Sequence, residues 1–498
     1  MPAAATVGEA LAATFERRGD ARALWFEGDW LTFRDLGGRA AQVAAGLLAE
    51  GIRAGDRVAV GLPNSADLVC AVAGVLQAGA VLVPLNPAYT ADELRYVLAD
   101  CAAARAIVSP PHGQILAEAA PASLRRFSTA LPDHEAATVA RRPAAAAGDP
   151  ALIVYTSGTT GKPKGAVLSH RALLTNFTTV ARLWGWSEDD RLLLTLPCFH
   201  LHGLGLGILT SLIVGASVVL RARFELDRVL PDIVEHRATM FFGVPTIYNR
   251  LVTLPDDAVA ATDLARMRLW VSGSAPLNPV TFERFRERFG FGLMDRYGMT
   301  ECCFALSTRL DEVRRAGVVG RALPGVEVRL VDSDRCAAGE LVDVPDGVEG
   351  EILVRGANLF SGYWQRPEAT AAAMLEGYLC SGDIAVRERD GQIRILGRKS
   401  LDIIKTRGFK VGAGEIEEVL LAHPAVREVA VVGVADSDQG QRIVAAVVSD
   451  GTVEASELLA HARVHLAPHK VPAAIVFFDD LPKTGPGKIK KSELLLRL

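Results

Sequence analysis

Eleven consecutive residues, "YTSGTTGKPKG" from Tyr155 to Gly165, combine three glycines, two lysines, one proline and five hydroxyl side chains directly after the apolar run "ALIV". The segment has no apolar periodicity and too many chain breakers to lie in a core. Its groups aim donors at oxygen atoms: N–H groups freed by glycine, the hydroxyls of Thr156, Ser157, Thr159 and Thr160, and the ammoniums of Lys162 and Lys164. A loop of this make-up, placed after a strand, suits the oxygens of a polyphosphate. It is not a Walker A loop, because the order G-x-x-x-x-G-K-[ST] is absent and Pro163 follows Lys162. The plainer alternative is a surface hairpin, since Gly/Ser/Thr loops are common.

Other segments carry isolated groups of similar promise. Thr300 and Glu301 end "DRYGMTE" (295–301), Asp383 ends "YLCSGD" (378–383), and Lys488 sits in the Gly/Pro-rich "LPKTGPGKIKK" (481–491). Each alone reads as a turn carboxylate or a solvated lysine. His200 and His202 in "PCFHLHGLG" (197–205) read equally as core histidines or as site groups.

These residues need a scaffold. "RVAVGLPNS", "GAVLVPLNP", "ARAIVSPP", "PALIVYTSG" and "GASVVLRARF" are short β-branched runs closed by Gly, Pro or Asn, separated by Ala/Leu-rich stretches of helical spacing such as "DLVCAVAGVLQAGA". Alternation of strand and helix predicts an α/β architecture with a largely parallel sheet. From about Gly325 the texture becomes "VEVRLVD", "GEILVRG" and "GQIRILGR", which predicts a β-rich subdomain before residue 398. After "GRKS" the chain reads hairpin, helix, strand, so a compact α+β domain of about a hundred residues follows a short polar hinge. The expected division is residues 1–398 and 399–498. No internal repeat occurs.

Composition narrows the classes. The chain has 498 residues, half hydrophobic and 22% charged, as in a globular enzyme. A net charge of −4 and a pI near 6.2 provide no basic field for nucleic acid. The seven cysteines show no CxxC spacing, which reads as reduced thiols and a cytoplasmic location. The N-terminal "ATVGEALAATFERRGD" looks like an amphipathic helix and not a signal peptide. One uncharged run, Gly203–Leu220, is interrupted by glycine and serine, so it reads as buried helix plus strand and no membrane span is expected.

"YTSGTTGKPKGAVLSH" resembles the phosphate-loop signature of the adenylate-forming enzymes, which include acyl-CoA synthetases, luciferases and peptide-synthetase adenylation domains. "PCFHLHGLG", "SGSAPL" (272–277), "DRYGMTE", "YLCSGD", "GRKSLDIIKTRGFKVGAGEIE" (397–417) and "LPKTGPGKIKK" follow in the family's order. The resemblance implies a large N-terminal domain and a mobile C-terminal lid, with ATP, Mg²⁺ and coenzyme A as the small molecules. It implies that Thr156, Ser157, Gly158, Thr159, Thr160 and Lys164 hold phosphates, and that Glu301 and Thr156 bind the metal. Thr300 would bond the α-phosphate, and Gly273, Ser274, Ala275 and Pro276 would pack on adenine. Asp383 would take the ribose hydroxyls near Arg398, and Lys488 would bridge carboxylate and α-phosphate. The lid would turn near Ser400, which departs from the family's Asp or Lys, bringing Lys405 and Gly408 to the pantetheine arm.

The resemblance also bears on the acid. No aspartate suited to a substrate ammonium is present in the segment of His200, which disfavours an α-amino acid. Arg250 in "GVPTIYNRL" and Arg296 occupy segments that line the family's acyl pocket. Two cations in an apolar pocket need an anion, and a second substrate carboxylate supplies it; the plainer reading is an ion pair with a protein carboxylate. The whole chain is similar to bacterial malonyl-CoA synthetases, which implies malonate or methylmalonate held by Arg250, Ser274 and Arg296, with His200 nearby. "CCFALST" after Glu301 departs from the polar stretch of those enzymes and puts Phe304 at the pocket. Fatty or aromatic acids, and a carrier protein as acceptor, are the alternatives.

Overall fold

The computed structural model describes residues 4–132, 145–156, 163–275, 277–399, 402–406, 409–436, 440–466, 468–483 and 489–498. Its strands there form sheets of fourteen, seven and five strands.

The largest sheet holds a parallel block: Arg22–Phe26, Ser217–Leu220, Arg191–Leu194, Met240–Phe242, Leu269–Ser272 and Met294–Tyr297 pair in that order. The last five of these are buried almost throughout, which explains why the first four of those are largely apolar, because a parallel sheet is covered on both faces, whereas Met294–Tyr297 carries the buried Asp295 and Arg296. The change of texture near Gly325 marks a change of pairing. Strands Val326–Val331, Glu349–Gly356, Tyr378–Arg387 and Ile393–Arg398 are antiparallel, and Val318–Ala322 and Leu306–Ser307 join them without a break to the parallel block. The β-rich region is thus hydrogen-bonded into the main sheet.

The seven-stranded sheet carries the hairpin of Pro150–Thr156 and Lys164–Ser169 beside the parallel strands Val81–Pro84, Arg57–Gly61 and Arg105–Val108. Helices around it start where the sequence supplies caps. Val7–Arg18, Phe33–Ala49 and Ala91–Asp100 each open on a Thr capping box, with Glu9, Asp35 and Glu93 as third residues. The run Gly203–Leu220 becomes the end of a π-helical stretch His202–Thr210, a short helix Ser211–Val214 and the strand Ser217–Leu220. Among the described residues no helix is long and apolar enough to cross a membrane.

The C-terminal region has cores of its own. Its five strands bury Ile416, Leu420, Leu458 and Ala462 of two helices on one face, and Leu481 and Leu494 on the other. Neither cluster merges with the N-terminal core, as a separately folding unit requires.

Candidate active site

One cavity of about 1510 Å³ opens between the two regions. Thr156, Lys164, His200, Ser274, Ala275, Arg296, Thr300, Glu301 and Arg398 all border it. They come from the pair Pro150–Thr156 and Lys164–Ser169, from the C-terminal ends of parallel strands and from the last strand before the C-terminal region; strand ends are the part of an open α/β sheet where ligands bind.

One end of the cavity is built around Glu301. This carboxylate is only 5% exposed and accepts a hydrogen bond from Tyr363 Oη at 2.8 Å on one oxygen. Burial, reinforced by the neighbouring Glu301 charge, raises the Tyr363 pKa, so its proton stays on the phenol. Lys164 lies over the same ring, 5.3 Å from its centroid, and Thr156 faces Lys164 across the hairpin. Glu301, Tyr363 and Lys164 therefore form a stack at the loop's exit. Ser157, Gly158, Thr159, Thr160 and Pro276 lie outside the described residues.

Asp383 stands behind the cavity wall. Its Oδ1 pairs with Arg398 Nε at 2.9 Å, its Oδ2 accepts from Tyr297 Oη at 2.7 Å, and the two ion-paired residues are register partners on adjacent strands. Burial pushes the Tyr297 phenol well above its ordinary pKa, which keeps it a donor. Arg398 also donates to Ser381 O at 2.8 Å, which fixes its side chain.

Another part of the cavity wall holds a poorly compensated charge. Arg296 is 5% exposed and borders the cavity, yet its Nε and Nη2 are buried without a hydrogen-bond partner. Burial depresses its pKa to about 10, and it remains a cation at neutral pH. The adjacent Asp295 is a weak counter-charge: burial pushes its carboxyl up to about 7, and Oδ1 accepts from the Arg296 backbone N–H at 2.9 Å. The plainer reading, an ion pair with a protein carboxylate, is met only by this Coulombic contact, and among the described residues no carboxylate lies within ion-pair distance of the Arg296 guanidinium. Its neighbours are the Phe304 ring and Gly273, where a Cβ would come within 2.6 Å of Arg296 Cζ.

Ser274 adopts φ +72, a left-handed conformation uncommon outside glycine. Its Oγ and His202 Nδ1 share a 3.3 Å hydrogen bond. Burial, with Arg296 close by, pulls His202 well below its ordinary pKa, and burial takes His200 down to about 4, so both imidazoles are neutral.

Arg250 is not brought to the cavity. Thr246 and Asn249 of helix Pro245–Leu251 border it, whereas Arg250 is exposed with its guanidinium over the Phe224 ring at 4.9 Å. A helix turns about 100° per residue, so Arg250 leaves the face that Asn249 presents. Its position in the last turn also favours a cation.

The C-terminal side contributes groups that sequence reasoning missed. Lys491, from the helix Lys491–Leu495, pairs with Asp402 and, at 2.6 Å, with Glu417. Asp402 Oδ2 accepts from the Arg398 N–H at 2.8 Å, and Lys399 Nζ reaches Glu351 at 3.0 Å. The chain on both sides of residues 400–401 is thus pinned by charge. Lys405 lies on the hairpin strand Ile403–Thr406, while Ser400, Gly408 and Lys488 lie outside the described residues. Tyr363 and Tyr297 were also missed; the signal for Tyr297 was its place inside "DRYGMTE", whereas nothing in "SGYW" marks Tyr363.

Comparison with known proteins gives the family. Residues 11–364 match the family described as AMP-binding enzyme, and residues 415–488 match the AMP-binding enzyme C-terminal domain. A feruloyl-CoA synthase from Amycolatopsis sp is 38% identical over 474 residues, 94% of each chain. A mitochondrial malonate–CoA ligase from Mus musculus is 35% identical over 506 residues, 94% of this chain and 87% of that one. The crystal structure of ATP-bound MatB from Rhodopseudomonas palustris superposes with a TM-score of 0.90 at 34% identity, covering 98% of both chains.

Proposed function

The chain belongs to the AMP-binding enzyme family, and on that premise we propose that it is an AMP-forming acyl-CoA ligase whose acid is malonate. In the first half-reaction the substrate carboxylate attacks the α-phosphorus of ATP and pyrophosphate leaves. In the second, the CoA thiolate displaces AMP from the acyl-adenylate. Two anions meet in the first step, so cations must stand where charge accumulates.

Lys164, Thr156 and the loop between them are proposed to hold the phosphates, with Thr300 at the α-phosphate and Gly273–Pro276 along the adenine. Asp383, oriented by Arg398 and Tyr297, is proposed to receive the ribose. Glu301 suits Mg²⁺, because it is a buried hard-oxygen ligand with one oxygen engaged by Tyr363; the ion supplies neutralisation of phosphate charge. Lys488 is proposed to bridge carboxylate and phosphate. The lid, residues 399–498, would then turn at the 398–402 segment and present Lys405 and Gly408 to the pantetheine.

The observation that carries malonate is Arg296, a buried cation with two orphaned donors at the acyl end. A distal carboxylate supplies the missing partner in a charge-assisted pair, with Ser274 beside it and the neutral His200 lining the same wall. Arg250 has no part in this site as it stands. That absence, together with the Phe304 ring in the pocket, favours an aromatic acid as the second reading. Pyrophosphate release with ATP, Mg²⁺ and CoA should be compared across malonate, methylmalonate, acetate, octanoate, benzoate and ferulate. Malonate is expected to give the highest kcat/KM; preference for ferulate or benzoate would keep the ligase and remove the distal-carboxylate role of Arg296.

A further inference from the structure

We propose that Phe304 is the positioning residue that makes this pocket select a dicarboxylate, by holding the Arg296 guanidinium desolvated and available; this rests on the role of Arg296 given above. The Phe304 ring is 3% exposed, and its centroid lies 4.5 Å from Arg296 Cζ. Gly273 flanks the same guanidinium so closely that any side chain would collide with it. The cation is therefore enclosed by a ring and a bare Cα, with the weakly charged Asp295 nearby but no carboxylate hydrogen-bonded to its buried Nε and Nη2 among the described residues.

That choice of neighbours has a chemical logic. A buried guanidinium left alone would draw in water or swing out. A protein carboxylate would hold it, but would also compete with the substrate for the same donors. The face of an aromatic ring attracts the cation without occupying any N–H group. A ring thus stabilises the charge in the free enzyme and leaves the hydrogen-bonding edge for an incoming anion.

The backbone keeps the ring in place. Buried Asn176 donates Nδ2–H to Phe304 O at 2.7 Å and accepts from Phe304 N–H at 3.3 Å. Asn358, also buried, donates to Cys302 O at 2.7 Å. The preceding Cys303 has φ +52, and a Cβ on Gly298 would stand 1.9 Å from Cys303 O, so the chain doubles back there only because residue 298 is glycine. Such effort to hold a turn next to a site marks a geometry that matters.

The test compares wild type, Phe304→Leu and Phe304→Tyr, with each change also made in an Arg296→Met background. Pyrophosphate release is measured with malonate and with butyrate. Leu keeps bulk and removes the ring face, so the malonate KM is expected to rise about tenfold, the scale of a desolvated cation–π contact, with kcat changed less than about threefold. Butyrate kcat/KM should hold or rise, and Tyr should restore most of the malonate KM. In the Arg296→Met background, Phe304→Leu should leave both acids unaffected, because the coupling acts through the cation. Equal losses for both acids, or the same loss with and without Arg296, would give Phe304 a packing role and overturn the proposal. A wild type indifferent to the second carboxylate would instead refute the reading of Arg296, and the proposal with it.

Discussion

Replacing Arg296 by Met should raise stability and destroy malonate activity together. In the free protein the guanidinium is enclosed and lacks a carboxylate partner, and burial lowers its pKa from 12.5 to about 10. At about 1.4 kcal/mol per pKa unit, that depression corresponds to roughly 3 kcal/mol against the charged form. The sign follows from proton linkage: a base with a folded pKa below its unfolded value destabilises the fold at every pH below the folded pKa, so the full cost is present at pH 7. Met fills similar volume without charge. The ligand-free variant should be more stable by about 1–3 kcal/mol, after an allowance for lost packing, read as a higher urea midpoint. Catalysis should move the other way. Removing one partner of a buried charge pair costs about 3–5 kcal/mol, which predicts a fall of roughly 10² to 4 × 10³-fold in kcat/KM for malonate. Butyrate, with nothing to offer the cation, should change little or improve. A variant that unfolds more easily and loses every acid equally would show that Arg296 supports the fold, and would sink the argument.

Three further outcomes are expected. Lys488→Ala should abolish pyrophosphate release while sparing thioester formation from supplied malonyl-adenylate, measured as CoA consumption; equal loss of both steps would contradict a lid with two working positions. Asp383→Asn keeps the Tyr297 and Ser381 contacts possible but weakens the pair with Arg398, so the KM for ATP should rise roughly tenfold with the KM for malonate unchanged, and parallel changes in both would remove Asp383 from the ribose. His170 is fully buried beside the Val7 N–H, and burial lowers its pKa to about 4. The unfolded chain then binds the extra proton, so stability should fall as pH drops from about 6.5 towards 4, by up to about 3 kcal/mol; His170→Gln should flatten that acid limb, and an unchanged limb would place the acid sensitivity elsewhere.

How much of this could be read without coordinates depended on the range of the interaction. Strands such as "RVAVG" and "SVVL" were legible because parallel strands buried on both faces are uniformly apolar, and the Thr-capped helices announce their starts. The family was legible because the chemistry of motifs such as "YTSGTTGKPKG" is contiguous in sequence. The fate of the two arginines was not, since Arg250 and Arg296 look alike as letters. One sits on a helix face that turns to solvent over Phe224, the other on a strand whose end faces the cavity. Tyr363 was hidden for the same reason: 62 residues separate it from Glu301, and a short strand pairing with Lys164–Ser169 carries it there. The Lys491, Asp402 and Glu417 cluster spans 89 positions and depends on how the C-terminal helix folds back. Long-range pairing of polar groups leaves no periodic trace.

The segment that joins the two regions and the pocket proposed for the acid treat charge in opposite ways. Near that segment Lys491 has two carboxylates and Lys399 has Glu351, so each cation is satisfied within the protein. In the pocket no described carboxylate hydrogen-bonds the Arg296 guanidinium, and on the proposed reading its energy stays high until the substrate's second carboxylate arrives. Differential interaction is what allows binding to be selective. An anion that satisfies Arg296 gains more than its own contacts, because it relieves a cost already built into the free enzyme. A neutral tail of equal size gains only its burial. Discrimination against monocarboxylates therefore needs no steric barrier, and a pocket spacious enough for both acids can still prefer the one with two charges.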